Sequence, residues 1–255
     1  MHDRIEFARA DALAALDALT GTVRQLTSSP AACAEPSRLP GWTRGHVLAH
    51  IEGVTHALAR QAEFAARGER IAPYDGGAEG RNAAIEAGST RTPAEHLAAL
   101  TAARERVVAA WPAAGSPVWE ATTSYLDGPV TGCLWAWWRE MRIHAVDANV
   151  GIGIETWDPR LLEHLREFLA DRLPEGVVLS EDDGTPEGGA SSPQGAAGPA
   201  ASSSAETIVS GAPADVVAWL AGREPSGAVR ATRGGETVPL PEPGAWPSAV
   251  APAAR

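Results

Sequence analysis

Trp137-Trp138-Arg139-Glu140-Met141-Arg142-Ile143-His144-Ala145-Val146-Asp147 reads as one helix in which a carboxylate and an imidazole stand four residues apart. Residues at that spacing project from the same helical face, so Glu140 and His144 point together toward whatever that face covers. Trp137 and Met141 flank the pair, and an apolar flank suits half of a metal site. Taken alone, an i,i+4 pair is also the ordinary signature of a solvated helix face. The other half of a metal site has to come from elsewhere in the chain.

Leu39-Pro40-Gly41-Trp42-Thr43-Arg44-Gly45-His46-Val47-Leu48-Ala49-His50-Ile51 supplies a candidate. Thr43 has the residue type of an N-cap, and Val47, Ile51, Val54 and Leu58 follow at helical spacing, an apolar stripe that must face a core. At roughly 100° per residue His50 lies about 60° from the middle of that stripe, so its ring can reach the interior. With Glu140 and His144 it completes a two-histidine, one-carboxylate set, a ligand set of catalytic zinc that keeps one position open. His46 could in principle close the tetrahedron as a fourth ligand. The pair is not an HExxH motif, because Val47 stands where that motif needs Glu. Of the remaining histidines His2 is terminal, His56 lies on the polar side of its helix, and His96 and His164 sit near helix beginnings where solvent exposure is expected.

Four segments, LPGWTRGHVLAHIEG at 39–53, RNAAIEAGST at 81–90, WREMRIHAVD at 138–147 and VVAWLAGR at 216–223, carry a resemblance. In that order and spacing the chain resembles the mycothiol-dependent maleylpyruvate isomerase family, within the larger group of DinB-like metal-binding helical bundles. The resemblance implies that zinc, as one divalent cation, is held by His50, Glu140 and His144, the second His of GWTRxHxxxH and the Glu and His of ExxxH, with His46 only a neighbour. It also implies mycothiol as the thiol cofactor and maleylpyruvate, a small dicarboxylate, as the substrate, converted to fumarylpyruvate in gentisate catabolism by thiolate addition, bond rotation and elimination. A dianion calls for fixed cations, and arginine offers carboxylate a bidentate fork. Arg81 and Arg223 stand in the family-like segments as catalytic candidates; Tyr74 and Asn82 are further pocket candidates, for binding the cofactor. Asp147 either orients an imidazole or caps the helix end. Trp135, Trp137 and Trp138 either line a pocket or pack between helices. Two other functions use the same site: a mycothiol S-transferase acting on a different electrophile, and a metal-binding module without catalysis.

Composition bounds the rest. The chain of 255 residues is 44% hydrophobic and 21% charged, enough to bury a full core. A net charge of -11 argues against nucleic-acid or anionic-membrane partners, which need a basic field. No run approaches the roughly 18 apolar residues of a membrane span, and the start lacks a signal-peptide core, so a cytoplasmic protein is expected. All 21 basic residues are arginine, a codon-bias signal of a GC-rich genome. Cys33 and Cys133 form no CxxC pair and are expected to be free thiols in a reducing compartment, so sulfur chemistry would arrive on a small molecule.

The pattern predicts a mainly α fold, a DinB-like four-helix bundle over residues 1–156 followed by a small α+β domain over 157–255. Principal helices are expected at about 3–27, from Thr43 to Gly68, from Thr92 to about Trp111 and from about Thr131 to Val150, with a shorter one around 79–87. Residues 118–130 suggest a small hairpin turning at Asp127-Gly128, or an irregular excursion. In the second domain Asp158-Pro159 starts a helix, 176–179 and 207–209 read as strands, 213–220 as a helix and 229–240 as one extended region. Residues 183–205, nearly all Gly, Ala, Ser and Pro, read as a flexible loop between strands, and the tail after Trp246 as loose.

Overall fold

The structure, a computed structural model, describes residues 2–181 and 206–247. The readings made for 183–205 and for the end of the tail fall outside these residues. The chain divides into two compact units, Met1–Gly153 and Ile154–Arg255.

The first unit is built on four long helices, α1 (His2–Leu26), α2 (Arg44–Ala65), α4 (Pro93–Ala110) and α5 (Val130–Asp147), with a shorter α3 (Gly77–Ser89). Each long helix packs on two others in a closed ring, α1 on α4 and α5, and α2 on α4 and α5, while α3 lies against α2. Local sequence chemistry sets the starts. Thr92 accepts from the Glu95 backbone and Glu95 returns a bond to the Thr92 amide, a capping box with Pro93 in the first turn. Thr43 and His46 do the same for α2, with an imidazole in the place of the usual Glu.

Small residues line much of the core, among them Ala8, Ala12, Ala59, Ala62 and Ala103, so the helices approach closely and a few large side chains fill the remaining space. Trp137 and Trp138 are the largest fully buried ones. Each indole N–H is satisfied, Trp137 donating to the Thr55 hydroxyl at 3.1 Å and Trp138 to Asp11 at 2.7 Å. The tryptophans at 137 and 138 are therefore packing residues. Contact between α2 and α3 depends on glycine: a Cβ on Gly45 would collide with the Ser89 carbonyl, and one on Gly88 would stand 2.7 Å from the Ala49 Cβ. This closeness fixes α3, and with it Arg81, on the His50 helix.

Between α4 and α5 the chain makes a 3-10 turn (Pro117–Glu120), a single antiparallel bridge Thr122–Pro129, and a tight turn. The turn lies one residue earlier than the sequence suggests. Leu126 and Asp127 both take φ 51°, and Gly128 N donates to Tyr125 O at 3.0 Å.

In the second unit Asp158 caps α6 (Pro159–Leu169) through a 2.8 Å bond from Arg160 N. Strands β1 (Val177–Glu181), β2 (Thr207–Gly211), β3 (Arg230–Arg233) and β4 (Glu236–Val238) form one sheet in that order, β1 parallel to β2 and the other pairs antiparallel. α7 (Pro213–Leu220) packs on α6 and on β2. The region 229–240, expected as one extended segment, is instead a hairpin, because Gly234 and Gly235 take φ 58° and 84° and reverse the chain. The fold is thus mainly helical with a small four-stranded sheet, as the sequence pattern predicts. Among the described residues no helix is long and apolar enough to cross a membrane.

Candidate metal centre

His50 comes from the middle of α2, and Glu140 and His144 from successive turns of α5, the two helices being direct neighbours. The Glu140 carboxylate sits between the two imidazoles: its Oε2 lies 2.9 Å from His50 Nε2 and 3.1 Å from His144 Nε2. The rings meet edge to face with centroids 4.5 Å apart. Each of the three residues offers one ligand atom, and these atoms lie within 4.8 Å of one another, the only such group of at least three among the described residues. Two imidazole nitrogens and one carboxylate oxygen converging this closely fit a divalent ion that keeps a further position for another ligand.

The surroundings fix the orientation of each candidate ligand. Asp147, fully buried, lies 2.8 Å from His144 Nδ1, which leaves Nε2 turned toward Glu140. Of the two roles open to Asp147 in the sequence, the structure displays the contact with the imidazole. His50 Nδ1 lies 3.2 Å from Arg81 Nη2, so the ring accepts there and directs its own N–H from Nε2 to Glu140. Burial, reinforced by His144, lowers the His50 pKa to about 4. His144 moves the other way, to about 9: burial opposes the rise but is outweighed by the Asp147 and Glu140 carboxylates. Burial would also raise Glu140, yet hydrogen bonds from His144 and His50 hold its carboxyl well below the usual carboxylate range. The site therefore carries an ionised carboxylate under two histidines of opposite character.

His46 stands apart from this cluster. Its Nδ1 accepts from the Thr43 amide at 3.2 Å and meets the Thr43 hydroxyl at 2.8 Å, its Nε2 faces Glu86 at 3.5 Å, and its ring stacks on Trp42. The ring is engaged in capping α2.

Arg81, buried on α3, donates from Nη1 to Asn82 Oδ1 at 3.1 Å, and its buried Nε has no hydrogen-bond partner among the described residues. Tyr74 shares a hydrogen bond with Arg81, and burial pushes its hydroxyl up to about 12, so it stays a neutral donor. Tyr74, Arg81 and Asn82 are thus brought together beside His50. Arg223 belongs to the second unit, where its Nη1 donates to Ala221 O at 2.8 Å and its guanidinium lies over Trp246, 5.5 Å from the ring centroid.

Two neighbours escaped the sequence reading. Arg139, directly before Glu140, is half-buried and interacts electrostatically with Glu140, and the Tyr125 hydroxyl shares a hydrogen bond with it. Its place next to Glu140 was the available signal. Three exposure expectations are also corrected. His96 and His164 are buried, on helices that pack against α1 and α2 (α4) and against α7 (α6), and His56 is half-buried. Cys33 and Cys133 are free and buried, and burial raises both thiols, Cys133 to about 11.

Residues 12–149, more than half of the chain, match the profile of the family described as Mycothiol maleylpyruvate isomerase N-terminal domain. Among solved structures, the crystal structure of the mycothiol-dependent maleylpyruvate isomerase is similar over 92% of this chain and 95% of its own, with 27% identity and a TM-score of 0.69. A histidine-to-alanine mutant of that isomerase gives the same values. No curated protein gave a match.

Proposed function

This chain belongs to the mycothiol maleylpyruvate isomerase family, and from that premise we propose that it catalyses the mycothiol-dependent cis-trans isomerisation of maleylpyruvate to fumarylpyruvate at a zinc held by His50, Glu140 and His144. The observation that carries the reading is the convergence of His50 Nε2, Glu140 Oε2 and His144 Nε2 beside a buried arginine. A bound zinc lowers the pKa of a thiol at its open position, so that a thiolate is available at neutral pH. Reversible thiol addition is the chemistry mycothiol supplies, and it makes a conjugated cis double bond free to rotate with no net redox change.

The chain's own residues prepare the rest. Asp147 keeps His144 in the tautomer that presents Nε2, and Glu140 stays ionised between the imidazoles. With Nε2 of His50 engaged, the ring carries its hydrogen on Nδ1, and the Arg81 donor facing that atom gains by turning to a carboxylate instead. Arg81 is thereby the proposed anchor for one substrate carboxylate, with Tyr74 and Asn82 orienting its guanidinium and contributing to thiol binding. Arg223 is proposed as a second cation on the strength of its segment's resemblance. Neither cysteine is disposed to act as the nucleophile, since burial raises both thiols. This supports an external sulfur.

The test follows the loss of maleylpyruvate absorbance with and without mycothiol, in the wild type and in His50→Ala. Turnover is expected only with the thiol and is lost in the variant. Wild-type turnover in the absence of any thiol would overturn the reading.

A further inference from the structure

The turn before α5 holds its residues in a backbone conformation that their types disfavour. Leu126 and Asp127 occupy the left-handed region in succession, where hairpins ordinarily use Asn-Gly or Gly-Gly, and Leu126 is exposed at the tip. Such a turn persists only where its surroundings over-determine it. Here they do. The Gln61 side chain, buried on α2, accepts from Ser124 N at 3.0 Å and Tyr125 N at 3.2 Å while donating to Ile71 O at 2.8 Å. Arg70 donates to Thr123 O at 3.1 Å and pairs with Asp127. Thr123 N and Oγ1 both donate to Gly128 O, at 2.8 and 2.9 Å.

What this scaffold delivers is Tyr125, half-buried, with its hydroxyl hydrogen-bonded to Arg139. The arrangement repeats one already described. Arg81 and Tyr74 form a hydrogen-bonded arginine–tyrosine pair that senses Glu140; Arg139 and Tyr125 form another, and the two tyrosines interact electrostatically with each other. Both pairs interact electrostatically with Glu140, while that carboxylate takes its own hydrogen bonds from His50 and His144. A helix-surface arginine serving only as a solvated charge needs no half-buried seat beside a tyrosine on a strained turn.

We propose that Arg139 is a carboxylate-binding residue of this site, held by Tyr125 and Gln61 as positioning residues, so that the Met1–Gly153 unit presents two guanidinium groups to a small dicarboxylate. The proposal deepens the dicarboxylate reading above and rests on it for the natural substrate. Its binding part can be measured without turnover.

The experiment titrates zinc-loaded full-length protein calorimetrically with maleate, a cis dianion, and with its monoamide, a monoanion. Arg139→Gln should weaken maleate by about tenfold or more, the loss of one charge-assisted contact, and the monoamide by much less. Tyr125→Phe, which keeps the ring and the packing, should lower the preference for the dianion in the same direction. In turnover, KM for maleylpyruvate should rise more than kcat falls. If the wild type binds no maleate, or if Arg139→Gln weakens both ligands equally or neither, the proposal falls. Arg139-dependent maleate binding without maleylpyruvate turnover would uphold it and sink the isomerase reading. Turnover with KM untouched in Arg139→Gln would do the reverse.

Discussion

His50 and His96 are buried to nearly the same degree in the same bundle, 4% and 0% exposed, and in both burial is the first cause of a pKa lowered to about 4. Their partners differ. Both ring nitrogens of His50 meet a polar group, Glu140 on one side and Arg81 on the other, and a second imidazole stands against its face. Neither ring nitrogen of His96 has a hydrogen-bond partner among the described residues. Depth and a perturbed pKa therefore do not mark a site in this chain. Convergence of polar partners sets the candidate site apart, and four variants put that distinction under load.

The largest effect belongs to His50→Ala. Removing one of the three proposed ligands should abolish measurable zinc binding in a chelator-competition titration, with helical circular dichroism retained. His96→Leu should leave zinc affinity at the wild-type value. Asp147→Asn is the next step down: the His144 ligand stays, but its orienting carboxylate becomes an amide, and zinc affinity should fall by about 10–100-fold. If the Asn variant binds zinc as tightly as the wild type, the buried Asp147–His144 contact of 2.8 Å is a helix-end accessory with no role in the site.

His96 predicts a pH effect. Its folded pKa lies below the value near 6.5 of an unfolded chain, so the unfolded state takes up the proton first and stability present above about pH 6.5 is lost as pH falls toward 4. By pH 4.5 the loss should be on the order of 2 kcal/mol, and His96→Leu should remove that part of the acid slope in urea unfolding of the metal-free protein. His144 runs oppositely. Its raised pKa contributes stability that is full below about pH 6.5 and lost as pH rises through about 9. An unchanged acid slope in His96→Leu would mean that the lone buried ring is not what titrates.

The sequence made the helices that carry the candidate ligands legible because their signals are local: four-residue spacing at Glu140 and His144, a Thr43 cap and an apolar stripe around His50. What stayed hidden depends on distant contacts. Tyr125 is held by Gln61 across 64 positions, so nothing near Tyr125 announces its place beside Arg139. The burial of His96 was missed for a related reason. α4 packs on both α1 and α2, and a helix so rich in alanine shows little contrast between the faces it buries and those it exposes. The Gly234-Gly235 reversal was local and readable, since paired glycines between two β-prone runs are a hairpin signal, but the long extended reading absorbed it.

His46 gives the smallest effect and the closest control, because it lies one helical turn before His50 and shares Trp42 as a neighbour. Its Nδ1 is taken by the α2 cap, where it accepts from the Thr43 amide. In His46→Ala the Thr43 amide loses that acceptor, and the expected cost is about 1 kcal/mol of stability, typical of a lost cap. Zinc affinity should move by less than about twofold, a few tenths of a kcal/mol. Urea midpoints and the same chelator competition measure both numbers on one preparation. A fall in zinc affinity comparable to that of His50→Ala would make His46 a fourth ligand, close the tetrahedron, and leave no position for a thiol.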